Sequence, residues 1–183
     1  MINVGALVYA IRLDLGDQKR LMYSDYDITR SLNHALHVVS MELCNMDSDL
    51  AEAEATLTLL DGCAALPDDY QNIIATLDPS ENPLTPYPRT QKLDQSGYRI
   101  SGNKLYATCE TVTLAYKRNL PDVAAAADSI DLPAPFYDLL RKMVVSQMNG
   151  GQDGMLSTVS QTVIDLASKR KYSRTVRPMP FSV

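Results

Sequence analysis

Apolar residues recur along this chain with two different periods, and the change between them divides it into three blocks. Val4, Leu7, Val8, Ile11 and Leu15 return every three or four residues, which predicts an amphipathic helix over residues 2–15 ending near Gly16. A polar turn over Leu15 to Lys19 follows. Ile28, Leu32, Ala35, Leu36, Val39 and Leu43 predict a second helix over 24–47, with Thr29, Arg30, Asn33 and Glu42 off its apolar stripe. Ser24 is suited to the N-cap, and Asp25 and Asp27 place acid in the first turn, where the helix dipole favours it.

From about residue 55 to 117 the period falls to two and turn residues punctuate the chain. Ala55 to Leu60 and Ala64 to Leu66 flank Asp61-Gly62, a dipeptide that favours a tight hairpin turn. Asn72 to Leu77 reads as extended. The four prolines in 78–88 predict a loop. Tyr98 to Ile100, Lys104 to Ala107 and Thr111 to Tyr116 predict further short strands, the first two joined at Ser101-Gly102-Asn103.

Helical spacing then resumes. Phe136, Leu139, Leu140, Met143, Val144 and Gln147 mark a third helix over 135–149, ended by Gly150-Gly151. Asp153 opens a fourth over 153–171, with Leu156, Val159, Val163, Ile164 and Leu166 on its apolar side. The helical blocks flanking the β region are each too small to enclose a core. The expected fold is therefore α+β, mainly α: a bundle of about four helices, residues 1–171 as one domain, with a small inserted antiparallel β region. Residues 172–183 form an extended C-terminal arm, because Pro178 and Pro180 exclude helix there.

Charge adds one asymmetry. Residues 1–168 hold 12 Lys/Arg against all 22 Asp/Glu, a net of −10. Residues 169–183 hold Lys169, Arg170, Lys171, Arg174 and Arg177 and no acid, a net of +5. A basic arm on an acidic body predicts contact with another macromolecule. The arm has too little apolar surface to order itself, and is expected to fold on a partner.

Candidate chemistry is sparse. His34 and His37 are three residues apart, and Cys44 lies seven beyond, but nothing completes a metal site. Gly150 to Gly154 lacks the Lys-Ser/Thr of a nucleotide loop and carries Asp153 instead. Carboxylates at Asp47, Asp49, Glu52 and Glu54 read as a solvated face. No nucleophile elbow occurs. Cys44, Cys63 and Cys109 have no paired spacing and read as buried free thiols in a reducing cytoplasm. The longest apolar runs fall far short of a membrane span, and the N-terminus has no basic leader segment. No enzyme, no cofactor and no metal are expected.

The order of several short motifs does carry information. Tyr23-Ser24-Asp25 precedes Leu32-Asn33-His34-Ala35; Thr56 to Leu60 precedes Leu66-Pro67-Asp68-Asp69-Tyr70; Leu114-Ala115-Tyr116 ends a strand; Leu132-Pro133-Ala134-Pro135-Phe136-Tyr137 launches a helix. In that order, over about residues 4–170, the chain resembles the head–tail connector (adaptor) proteins of tailed bacteriophages. The resemblance implies a structural virion protein, made in the host bacterial cytoplasm. It would form a ring under the portal, twelve copies to match a twelvefold portal, and offer a platform to tail or nozzle proteins. Double-stranded DNA would pass through its channel without sequence recognition, and an acidic body would not grip it. On that reading Lys169, Arg170, Lys171, Tyr172, Arg174, Arg177, Met179 and Phe181 dock on the portal, with Met179 and Phe181 as apolar anchors. The alternative from charge alone is a small nucleic-acid-binding protein that uses the same basic tail.

Overall fold

A computed structural model describes residues 1–46, 48–151 and 160–167. Contacts divide the chain into two compact units. One comprises Met1–Leu50 with the described residues from Pro121 onward, and the other is Ala51–Leu120.

The first unit is helical. Helix α1 (Val4–Asp14) is capped by Asn3, whose side chain accepts from Ala6 N at 2.8 Å, and it ends at Gly16 in the left-handed region (φ 68). Helix α2 (Asp25–Asn45) begins with a capping box: Ser24 Oγ accepts from Asp27 N, and the Asp27 carboxylate accepts from Ser24 N. Helix α3 (Phe136–Met148) stops before Gly150 (φ 80), and α4 runs over residues 160–167. The apolar stripes predicted for α2 and for α3 are buried, except that Gln147 is exposed. Helix α3 packs on both α1 and α2. Between α1 and α3, Arg141 grips Asp14 through two hydrogen bonds of 2.5 and 2.7 Å. One departure from expectation is at the start of the chain. Ile2–Asn3 form β1, paired antiparallel with β9 (Ser129–Ile130), rather than the first residues of α1.

The second unit holds two sheets. Strand β8 (Thr111–Arg118) lies between β2 (Glu52–Thr58) and β4 (Tyr70–Leu77), both antiparallel to it. The other sheet runs in the order β3 (Cys63–Ala65), β7 (Lys104–Ala107), β6 (Gly97–Ser101), β5 (Thr85–Pro86). One core, including Leu66, Leu84, Tyr98, Leu105, Val112, Leu114 and Tyr116, draws on both sheets.

The Asp61-Gly62 turn forms as its residues demand, with φ of 52 and 74 and a bridge from Leu60 to Cys63. Its flanking strands, however, part company. Strand β2 pairs with β8 and β3 with β7, so the turn carries the chain from one sheet to the other. The proline-rich stretch is not wholly loop either: Thr85–Pro86 pair in parallel with Gly97 and Tyr98 at the sheet edge, where the missing proline N–H costs nothing.

Helix accounts for 35% and strand for 27% of the described residues, so the fold is mixed α+β. This corrects the expectation of a mainly helical bundle. Among the described residues, nine strands of two to eight residues each carry little periodicity, and the shortest carry none. Their sum is still comparable with the helices.

Candidate functional site

The motif residues that order the sequence serve as fasteners of each unit. Asn33 on α2 makes a two-way clamp on the returning chain: its Nδ2 donates to Val123 O at 3.0 Å, and its Oδ1 accepts from Val123 N at 2.9 Å. Tyr137 donates to Ala6 O at 3.1 Å, and Phe136 is buried behind a turn closed by its N–H on Pro133 O. In the second unit Tyr116 donates to Asp69 at 2.9 Å, and its ring centroid lies 5.9 Å from that of Tyr70. Asn119 N donates to Asp69 O at 2.7 Å. Thus residues of Leu-Asn-x-Ala, Leu-Pro-x-Asp-Tyr and Leu-x-Tyr hold structure.

The most developed surface feature is the loop between α1 and α2. Arg12 sits on α1 almost wholly buried, and its guanidinium bonds Asp17 at 2.7 Å, Asp25 at 2.6 Å and Tyr23 O at 3.1 Å. Asp17, 2% exposed, spreads its two oxygens over the N–H groups of Leu21, Met22 and Tyr23. The Met22 N–H first, then those of Tyr23 and Leu21 and the Arg12 charge, hold this carboxyl below the usual carboxylate range against the opposing effect of burial. Asp25 is lowered too, chiefly by its hydrogen bond from Arg12.

This network fixes a loop that exposes two apolar side chains, Leu21 and Met22, beside the polar Gln18, Lys19 and Arg20. Leu21 is 81% and Met22 68% exposed, and Tyr9 and Tyr26 are exposed on the adjoining helices. A cavity of about 400 Å³ lies beside it, lined by residues including Val8, Tyr9, Arg12, Arg20 and Asp25. Hydrogen bonds to the backbone that carries Leu21 and Met22 lower the cost of ordering it on contact with another surface. Sequence reasoning took Asp17 for an ordinary turn residue. The one available signal was Arg12, a cation beside Ile11 at the edge of an apolar stripe.

The other sequence candidates are placed as follows. His34 and His37 are both exposed on α2, and among the described residues no three His, Cys, Asp or Glu side chains gather as a metal site. The three cysteines form no disulfide and are half-buried, less enclosed than expected. Lys169, Arg170, Lys171, Tyr172, Arg174, Arg177, Met179 and Phe181 lie outside the described residues, as do residues 153–159 and 168–171 of the predicted fourth helix. No helix among the described residues is long and apolar enough to cross a membrane.

The family model described as SU10 adaptor protein matches residues 2–176, and the chain belongs to that family of phage adaptor proteins, components of the virion. No curated relative matches the chain.

Proposed function

We infer that this chain is a head–tail connector subunit that forms a ring of twelve copies under the portal, extends the DNA channel and offers tail or nozzle proteins a platform. The observation that carries this reading is the family match over residues 2–176. The hydrogen-bonded loop at Leu21-Met22 supports it, because a ring subunit needs contact surfaces on several sides. The role is structural rather than catalytic. The basic segment from Lys169 to Phe181 is the portal-docking element, its arginines making charge-assisted contacts and Met179 and Phe181 seating in apolar pockets. The net −10 of residues 1–168 suits a channel through which phosphate must slide without being held.

The test is a phage lacking the gene for this chain. Its particles should package DNA and then lose it or fail to join tails. Electron microscopy of the purified protein mixed with its portal should show a twelvefold collar. Infectious, tail-bearing particles from the deletion would overturn the reading.

A further inference from the structure

The second unit is electrically lopsided. Its residues 85–107, which comprise β5 to β7 and their connections, carry Arg89, Lys92, Arg99 and Lys104 against Asp94 alone, a net of +3. The remainder of Ala51–Leu120 carries eight acids, among them Glu54 and Glu110, against Lys117 and Arg118, a net of −6.

Within the basic part the side chains are organised. Arg99 lies with its Cζ 5.6 Å from the centroid of the Tyr106 ring, its partner across the β6–β7 ladder, and donates to Arg89 O at 3.3 Å. Arg89 donates through Nη2 to Ser101 Oγ at 2.7 Å. These four residues line an open depression of about 460 Å³. Neither guanidinium has a carboxylate partner among the described residues. By contrast Arg12, Lys117 and Arg141 are all ion-paired. Two forks, one steadied on an aromatic face and one by a hydroxyl, form a receptor for a planar, bidentate anion.

We propose that this depression takes an exposed carboxylate, of Glu54 or Glu110, from a second copy of the chain, so that copies join head to tail. Charge complementarity selects the occupant. The same unit offers exposed Glu54 on β2, an edge strand of its sheet, and exposed Glu110 just before β8. A basic depression at one sheet and exposed carboxylates at the other make a heterologous contact, which propagates from copy to copy and closes into a ring when the rotation allows. The inference rests on the reading of the chain as a ring subunit and supplies the contact between neighbours.

The experiment is sedimentation equilibrium of the full chain at high protein concentration over a range of salt. The wild type should associate weakly at low salt and dissociate as salt screens the charges. Arg89→Ala/Arg99→Ala should lower the association constant by about tenfold or more. Lys92→Glu/Lys104→Glu, which changes two exposed lysines beside the depression, should weaken it in the same direction and guards against a folding defect in the arginine variant. Glu54→Ala/Glu110→Ala alone should likewise associate about tenfold or more weakly. Mixed with Arg89→Ala/Arg99→Ala it should form dimers and nothing larger, because only one intact contact can be built between the two variants.

The proposal falls if the wild type stays monomeric at every salt concentration, if the arginine variant associates as well as wild type, or if the mixture forms no dimer. It falls equally if the arginine substitutions abolish only binding of a short DNA duplex, which would make the depression a phosphate site. Head-to-tail association without portal decoration would keep this contact and overturn the portal reading. Portal decoration that is indifferent to Arg89 and Arg99 would do the reverse.

Discussion

The Tyr116 hydroxyl donates to Asp69 while its ring packs near that of Tyr70, so one side chain ties the end of β8 to the turn before β4. Burial first, and the bond to Asp69 second, push its phenol up to about 12 from an ordinary value of 10.0. A raised pKa means that the folded protein holds this proton more tightly than the unfolded chain. The resulting stability is complete below pH 10 and is lost as pH climbs toward about 12. At 1.36 kcal/mol per unit its loss is on the order of 1–3 kcal/mol. Tyr116→Phe should therefore be less stable at neutral pH yet show a flatter decline above pH 10 in chemical denaturation. An unchanged alkaline slope would show that Tyr116 is not the titrating group. The sequence displayed Leu114-Ala115-Tyr116 and Leu66-Pro67-Asp68-Asp69-Tyr70 as separate motifs. It did not show that the two meet, because their contact is made across a strand pairing with no local signature.

At the scale of elements, legibility followed length. Helix α2 was readable to within a residue or two, because Ser24 and Asp27 form its cap and six apolar residues repeat on one face. The second unit was readable only as strands of unknown partners. Asp61-Gly62 announces a turn correctly, but a turn fixes two residues and not the sheets that the next strands join. The loop site was least legible. Asp17 is polar and flanked by Gly16 and Gln18, so only the folded chain reveals that three backbone N–H groups and Arg12 converge on it. The α2–α3 packing gives a direct test. Leu32, Leu36 and Val39 on α2 and Leu140, Met143 and Val144 on α3 are all buried, and the two helices pack together. Leu36→Ala should cost roughly 2–5 kcal/mol in denaturant unfolding, the range for a truncated leucine in a core that cannot collapse around the cavity. A cost below about 1 kcal/mol, the level of ordinary surface substitutions, would mean that Leu36 is not part of that core.

At the scale of the whole molecule, what an adaptor does depends on which of its surfaces are spent internally and which are left for partners. In the helical unit, the strand β1–β9, the Asn33 clamp on Val123 and the Arg141–Asp14 fork all join the N-terminal segment to residues beyond Pro121. Residues 1–50 therefore complete their core only with chain that follows the β unit. Those fasteners are all made by residues before 152, so removing the proposed docking segment leaves each of them in place. Deleting residues 172–183 should leave the thermal midpoint within about 2 °C of wild type, since no fastener named above is removed. It should also abolish binding to the portal. Arg174→Glu/Arg177→Glu should weaken docking more at low salt than at high salt, because exposed charges separated by more than about 10 Å are already screened at 0.1 M. A truncated chain that decorated portals at wild-type occupancy would move the docking element elsewhere, and Leu21 and Met22 would be the next residues to replace.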